Sequence, residues 1–367
     1  MSPRLSGVWR SRLMSVLKVA VSVGLLAWLL HKAGLRNLGN TVSHASWGWL
    51  VVGLCFGFLA TCVQALQWQA LLAALAMPRR WLSCLRLVFV GNTFNTILPT
   101  SIGGDVVRAT MAARDPSERV RALTTVVLQR LCNFPGMILI MGVGVILTLS
   151  DPFAAHVRPA AIVGALGGVA GLAICATPLL GWLAQRPLLQ RVKVGKLFEE
   201  LHAFRGEGRQ LLAASGRGVV FWTLSVINWF CFLNAVGVHV SWQLAAVVTT
   251  TVAAITMLPI SINGYGVREG GFIAFLAIPG LASPSAAVAA SLCIAGQSLL
   301  WAVVGVPFLL TRQRPRSLSA ALPALTLTTP RRADPAVDRT GGRLHEPLAQ
   351  LAGAGHGADL SSSEAAR

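Results

Sequence analysis

Six apolar stretches, at about 13–31, 47–76, 122–149, 158–184, 218–237 and 285–311, are each long enough to cross a bilayer. A hydrocarbon core of about 30 Å takes about 20 residues at the helical rise. In lipid, every backbone N–H and C=O needs a partner within the protein, so segments of this kind are restricted to helices. The chain is therefore expected to be an all-α, polytopic transmembrane bundle. Composition agrees, with 54% hydrophobic and 12% charged residues against about 25% charged in soluble domains. The formal charge of +18 does not point to nucleic acid, because most Lys and Arg sit in short connections beside apolar runs, where they orient a membrane protein.

Those connections set the topology. Lys and Arg number about 21 in the N-terminus, 77–86, 108–121, 185–217 and the end of the last span, against 3 in the opposite connections. This positive-inside bias predicts both termini in the cytoplasm of an inner-membrane protein. The run Val16 to Leu30 is followed by LLHKAGLRN, without a small-residue cleavage site, and is expected to be an uncleaved first span. Residues 312–367, rich in Pro, Ala, Gly, Ser and Arg, are expected to be a disordered cytoplasmic tail behind a 1–311 membrane domain. Seven scattered cysteines and seven histidines show no metal-ligand spacing, so neither metal nor cofactor is expected.

Residues 77–86 and 108–121 are both basic, yet the sequence between them is apolar. A single crossing would put them on opposite sides, so 87–107 is expected to enter and return as a re-entrant hairpin. The same bookkeeping makes 243–281 a second hairpin, entering from the other face, with two tilted spans as the alternative. The hairpins carry one motif twice: TILPTSIGGDVVR at 96–108 and TMLPISINGYGVR at 256–268 agree at eight of thirteen positions, 160 residues apart. Pro99 and Pro259 interrupt a helix. Gly103, Gly104, Gly264 and Gly266 permit positive φ or close approach. Ser101 and Ser261 stand where a hydroxyl can cap a returning half-helix. Broken helices in inverted repeats surround transport sites near the bilayer midplane.

Charged and amide residues extend the candidate site. Arg130 lies nine residues after Arg121, about 13 Å into a helix, where an arginine needs a partner or a wet cavity. Asp105 and Glu269 are the candidate partners. Arg108, Arg130 and Arg268 are expected to line one cavity that receives a phosphate, since guanidinium engages phosphate oxygens bidentately. Asn92, Asn95, Asn133 and Asn263 add polar lining, and Gln297 is a similar amide in the last span. The alternative for these charges is an ion pair that only holds the hairpins together.

GNTFNTILPTSIGGDVVRATMAARD, LQRLCN and LPISINGYGVREGGFIAFL resemble the lysylphosphatidylglycerol synthase transmembrane-region family, also described as flippase-like, over about residues 15 to 311. Members include the flippase half of the bifunctional enzyme that lysinylates phosphatidylglycerol and exposes it on the outer leaflet. The resemblance implies functional roles for Asn95, Pro99, Gly103, Gly104, Asp105, Arg108, Pro259, Ser261, Gly264, Gly266, Arg268 and Glu269. This chain departs from the family pattern at Gln129 and Asn133, amides where carboxylates often stand, and at Asn263, which replaces a frequent glycine. The aminoacyl-transferring domain is not expected within these residues.

The expectation is six full spans with two broken-helix elements related as an inverted repeat, acting as a lipid translocase for a phosphate-bearing or aminoacylated lipid. The expected partners are anionic, aminoacylated or other polar lipids, with a lipid-biosynthesis enzyme as a further candidate. No catalytic residue is assigned. A transferase using Asp105 or Glu269 as base, and a scaffold for a lipid-synthesis enzyme, are the alternatives.

Overall fold

The computed structural model describes residues 41, 43–97, 103–176, 208–257 and 264–310. The expected first span at 13–31, the motif residues Pro99, Ser101, Pro259, Ser261 and Asn263, the segment 177–207 and the tail 312–367 lie outside the described residues. Among the described residues the chain forms nine α-helices and no strand. These are α1 (Trp47–Ala74), α2 (Trp81–Ile97), α3 (Gly103–Ala112), α4 (Arg119–Leu147), α5 (Arg158–Ala176), α6 (Gly208–Ala235), α7 (Trp242–Thr256), α8 (Val267–Leu276) and α9 (Pro284–Leu310).

Four of these helices are long and apolar enough to cross a membrane: α1, α4 with the turn before it, α6 and α9. They answer to four of the expected spans, and α5 covers the described part of a fifth with 19 residues. One boundary is corrected. Helix α6 starts at Gly208 instead of 218, so Arg209 and Arg217 of the basic connection lie on the helix itself. Local chemistry sets the starts of α7 and α9. The Ser241 hydroxyl accepts from Leu244 N–H at 3.2 Å and the Ser283 hydroxyl from Ala286 N–H at 3.2 Å, with Pro284 in the first turn where no N–H is needed. Apolar side chains such as Leu166, Val163 and Leu212 point outward, as a lipid-facing surface requires.

The helices on either side of each expected hairpin turn pack as antiparallel pairs. In the first, α2 and α3 run antiparallel. Arg79 donates to the Ala112 carbonyl at one end, and Gly104 N–H donates to Asn95 Oδ1 at 2.8 Å at the other. In the second, a Cβ on Gly264 would meet Thr256 at 3.1 Å and one on Gly271 would meet Val252 at 3.1 Å, so α7 and α8 are antiparallel too. Helices α3 and α8 have ten residues each, about 15 Å of rise, half of what a crossing needs. Helix α8 is thus shorter than a full span, as the hairpin expectation for 243–281 requires.

The repeat extends well beyond the motif. Starts pair as Trp47 with Gly208, Trp81 with Trp242, Gly103 with Val267 and Arg119 with Pro284, at offsets of 161, 161, 164 and 165 residues. Helices α1–α4 and α6–α9 are thus two copies of one unit, and they exchange partners: α2 packs along α9, and α7 along α4. Helices α1 and α6 hold the centre. Ser46 N–H donates to the Ala235 carbonyl, Asn228 to the Gly53 carbonyl and Gln67 to the Ala214 carbonyl. These three pairs keep one register while running in opposite directions, so α1 and α6 are antiparallel. Two equivalent antiparallel helices that cross a bilayer are related by a two-fold axis in its plane, which makes the copies an inverted repeat.

Candidate functional site: a polar cavity lined by both copies of the unit

A cavity of about 380 Å³ opens where the tip of the first hairpin approaches the end of α7, within the size range of small-molecule sites at roughly 300–1,000 Å³. Asn92 and Asn95 of α2, Asp105 and Arg108 of α3, Gln129, Arg130 and Asn133 of α4, Trp222 of α6 and Met257 after α7 are among its walls. Both copies of the unit therefore contribute to it.

The charges are arranged around Asp105. Arg108 Nε donates to Asp105 Oδ1 at 2.9 Å, and Arg130 donates to Asp105 Oδ2 through Nε at 2.9 Å and also through Nη2. Of the two candidate partners for Arg130, Asp105 is the one it meets. Arg130 is half-exposed, whereas Arg108 is buried at 4% exposure. The Arg108 guanidinium lies over the Trp68 ring, 4.7 Å from its centroid, and the Trp68 indole is anchored to the Thr125 hydroxyl at 2.9 Å.

An amide relay fixes Arg108 from the other side. Arg108 Nη2 donates to Gln129 Oε1 at 2.9 Å. Gln129 Nε2 donates in turn to the Gln64 carbonyl at 2.7 Å and to Gln67 Oε1 at 3.2 Å. Gln67 Nε2 donates to Asn133 Oδ1 and to the Ala214 carbonyl, both at 2.9 Å. Two N–H groups on the cavity walls have no acceptor among the described residues: Arg108 Nη1 and Trp222 Nε1.

The backbone explains why this geometry needs its glycines. A Cβ on Gly104 would overlap the Gly91 carbonyl oxygen, so α2 and α3 touch backbone to backbone there. In the second motif, Gly264 and Gly266 instead adopt positive φ, 76° and 83°, to turn the chain into α8. The expectation of positive φ thus holds for the second motif, and close approach is the reason at Gly104. Asn95 supplies a side-chain cap at the start of α3.

The expectation that all three arginines share one cavity is not met. Arg268 and Glu269 form a separate buried cluster. Arg268 Nε donates to the Ser291 hydroxyl at 3.0 Å and Nη2 to Glu269 Oε1 at 3.2 Å, and the Ser291 hydroxyl donates to Glu269 Oε1 at 2.8 Å. Glu269 Oε2 accepts the Gly266 N–H at 2.6 Å and so caps α8. Both carboxylate oxygens are occupied and Glu269 is fully buried. The two copies keep their Arg–carboxylate pair in different places, Asp105 three residues before its arginine and Glu269 one residue after. The pair in the second copy ties α8 to Ser291 on α9, and the pair in the first copy faces the cavity.

Trp222, Trp68, Gln64 and Gln67 are not singled out by motif or charge. The signal for the glutamines is present, since two amides sit three residues apart inside an apolar span that has no other use for them. Trp222 gives none, because a tryptophan in an apolar helix is ordinary by composition.

No curated protein matches this chain. The family model for the lysylphosphatidylglycerol synthase TM region matches residues 15–306. That match covers most of the chain and contains every wall of the polar cavity, so the chain belongs to the lysylphosphatidylglycerol synthase TM region family.

Proposed function

We propose that this integral, multi-pass membrane protein is a lipid translocase, moving a polar lipid headgroup between leaflets through the cavity while the acyl chains stay in lipid. The observation that carries the reading is the buried Arg108 on the wall of a cavity that both copies of the repeated unit line. An arginine at that depth is unfavourable unless it has a partner or a polar ligand. Paired discontinuous helices in inverted repeats are a recurring way to build a site that opens to either side. The lipid is phosphate-bearing or aminoacylated, and the protein sits in a bacterial inner membrane with both termini in the cytoplasm, as the loop charges imply.

Reconstitution into liposomes with labelled phospholipids separates this reading from its rivals. Leaflet exchange faster than in protein-free liposomes supports translocation. Exchange at the protein-free rate, with a covalently modified lipid appearing when aminoacyl or sugar donors are added, replaces it with a transferase. Neither exchange nor modification, with a lipid-synthesis enzyme co-purifying, replaces it with a scaffold.

A further inference from the structure

We infer that the cavity reads headgroup charge: it takes a phosphodiester whose remaining headgroup carries no cation, holds the phosphate oxygens with Arg108 and Trp222 together, and turns away a headgroup bearing an ammonium. The inference rests on the translocase reading for the source of the ligand, a lipid headgroup, and chooses between the two lipid classes that reading leaves open.

The oxygens of three wall amides are fixed by donors within the protein. Asn95 Oδ1 is held by the Gly104 N–H, Asn133 Oδ1 by Gln67 and Gln129 Oε1 by Arg108. Backbone partners force these orientations. A backbone N–H can only donate to Asn95, and the carbonyls of Ala214 and Gln64 can only accept from Gln67 and Gln129. Asn95 and Asn133 consequently turn their NH₂ sides to what remains, whereas both amide hydrogens of Gln129 are spent on Gln64 and Gln67. The two N–H groups without acceptors among the described residues, Arg108 Nη1 and Trp222 Nε1, belong to residues more than nine-tenths buried. Buried donors without acceptors are unfavourable, and oxyanion oxygens satisfy them.

The charge count points the same way. Arg108 and Arg130 against Asp105 give the described walls a net charge of +1. Both Asp105 oxygens are engaged by arginines, so the one carboxylate among the described walls is already compensated by two guanidiniums. Glu269 is consumed in its own cluster. An ammonium in this space would face two guanidinium groups with no compensating charge, in surroundings where like charges repel strongly.

The test is binding, measured on the purified full-length protein in nonionic detergent. The probes are dioctanoyl phosphatidylglycerol, dioctanoyl phosphatidylethanolamine and inorganic phosphate. Phosphatidylglycerol is expected to bind about tenfold or more tighter than phosphatidylethanolamine, and inorganic phosphate to compete only at far higher concentration. Trp222→Phe, which keeps the ring and removes the donor, is expected to weaken phosphatidylglycerol about five-fold or more without changing the fold. Arg108→Gln narrows the preference between the two lipids; if it does not fold, Trp222→Phe and the lipid comparison decide alone. Equal binding of the two lipids overturns the charge reading, even where both are translocated. Inorganic phosphate binding as tightly as phosphatidylglycerol overturns the headgroup assignment, and unchanged binding by Trp222→Phe overturns the paired site. Selective binding by a protein that moves neither lipid supports this inference and counts against translocation alone.

Discussion

Gln67 on α1 and Asn228 on α6 occupy the same place in the two copies of one four-helix unit. Each amide donates to an amide on the fourth helix of its own copy, Gln67 to Asn133 and Asn228 to Gln297 at 2.8 Å. Each also donates to a backbone carbonyl fourteen residues before its counterpart, at Ala214 and Gly53. Helices in lipid gain little from apolar contact with one another, so interhelical hydrogen bonds and close backbone approach carry the association. These two knots pin the centre of the inverted repeat.

The equivalence is structural and not functional, which gives the first prediction. Gln67→Leu and Asn228→Leu should each cost about 0.5–2 kcal/mol, the range for interhelical polar contacts. Gln67 also holds Gln129, which holds Arg108, so Gln67→Leu should weaken phospholipid binding as well. Asn228→Leu should leave it within about twofold. Thermal unfolding together with lipid titration on both variants checks the split.

The hairpin crossing gives the second. Gly104→Ala places a methyl into the Gly91 carbonyl, backbone that has nowhere to go, whereas Gly91→Ala brings its Cβ to 3.2 Å from the Gly104 carbonyl. Overpacking of this kind costs about 1–3 kcal/mol and sometimes more, so Gly104→Ala should be the more damaging of the two by a clear margin. It also displaces Asp105, its neighbour in the chain. Monodisperse yield and unfolding midpoint, compared for the two variants, measure the difference.

The unequal ion pairs give the third. Asp105→Asn leaves the buried Arg108 beside Arg130 without a counter-charge, a change worth about 3–5 kcal/mol where a buried pair is broken, and it alters the cavity charge. Glu269→Gln weakens the α8 cap and the Arg268 pair but touches no cavity wall. Both variants should unfold at lower temperature. Only Asp105→Asn should change phospholipid affinity, and a matching change in Glu269→Gln would place the second pair in the cavity after all.

Much of this architecture is legible in the amino-acid sequence. Apolar run length predicts the long helices, and loop charge predicts a hairpin at 87–107, because charge asymmetry is a bulk property that survives local detail. The motif copies at 96–108 and 256–268 disclose the repeat. What is not legible is how the copies diverged. Arg108 and Arg268 are the same motif position, and nothing in their identity says that one faces a cavity and the other a serine on α9. That difference comes from their carboxylates, three residues before in one copy and one residue after in the other, which turn the two guanidiniums to different neighbours. Trp222 is invisible for a related reason: its significance lies in an indole N–H that finds no acceptor among the described residues, a property of packing and not of pattern.

The central claim is that the Arg108 cavity is the path of a phosphate headgroup. Its most direct test is the initial rate of labelled phosphatidylglycerol exchange in proteoliposomes, for the wild-type protein and for an Arg108→Gln variant shown to be folded by size exclusion. The account predicts a wild-type rate well above protein-free liposomes and a drop of about tenfold or more in Arg108→Gln, the loss of one charge-assisted contact. A wild-type rate equal to that of protein-free liposomes, or an Arg108→Gln rate equal to wild type, would contradict it.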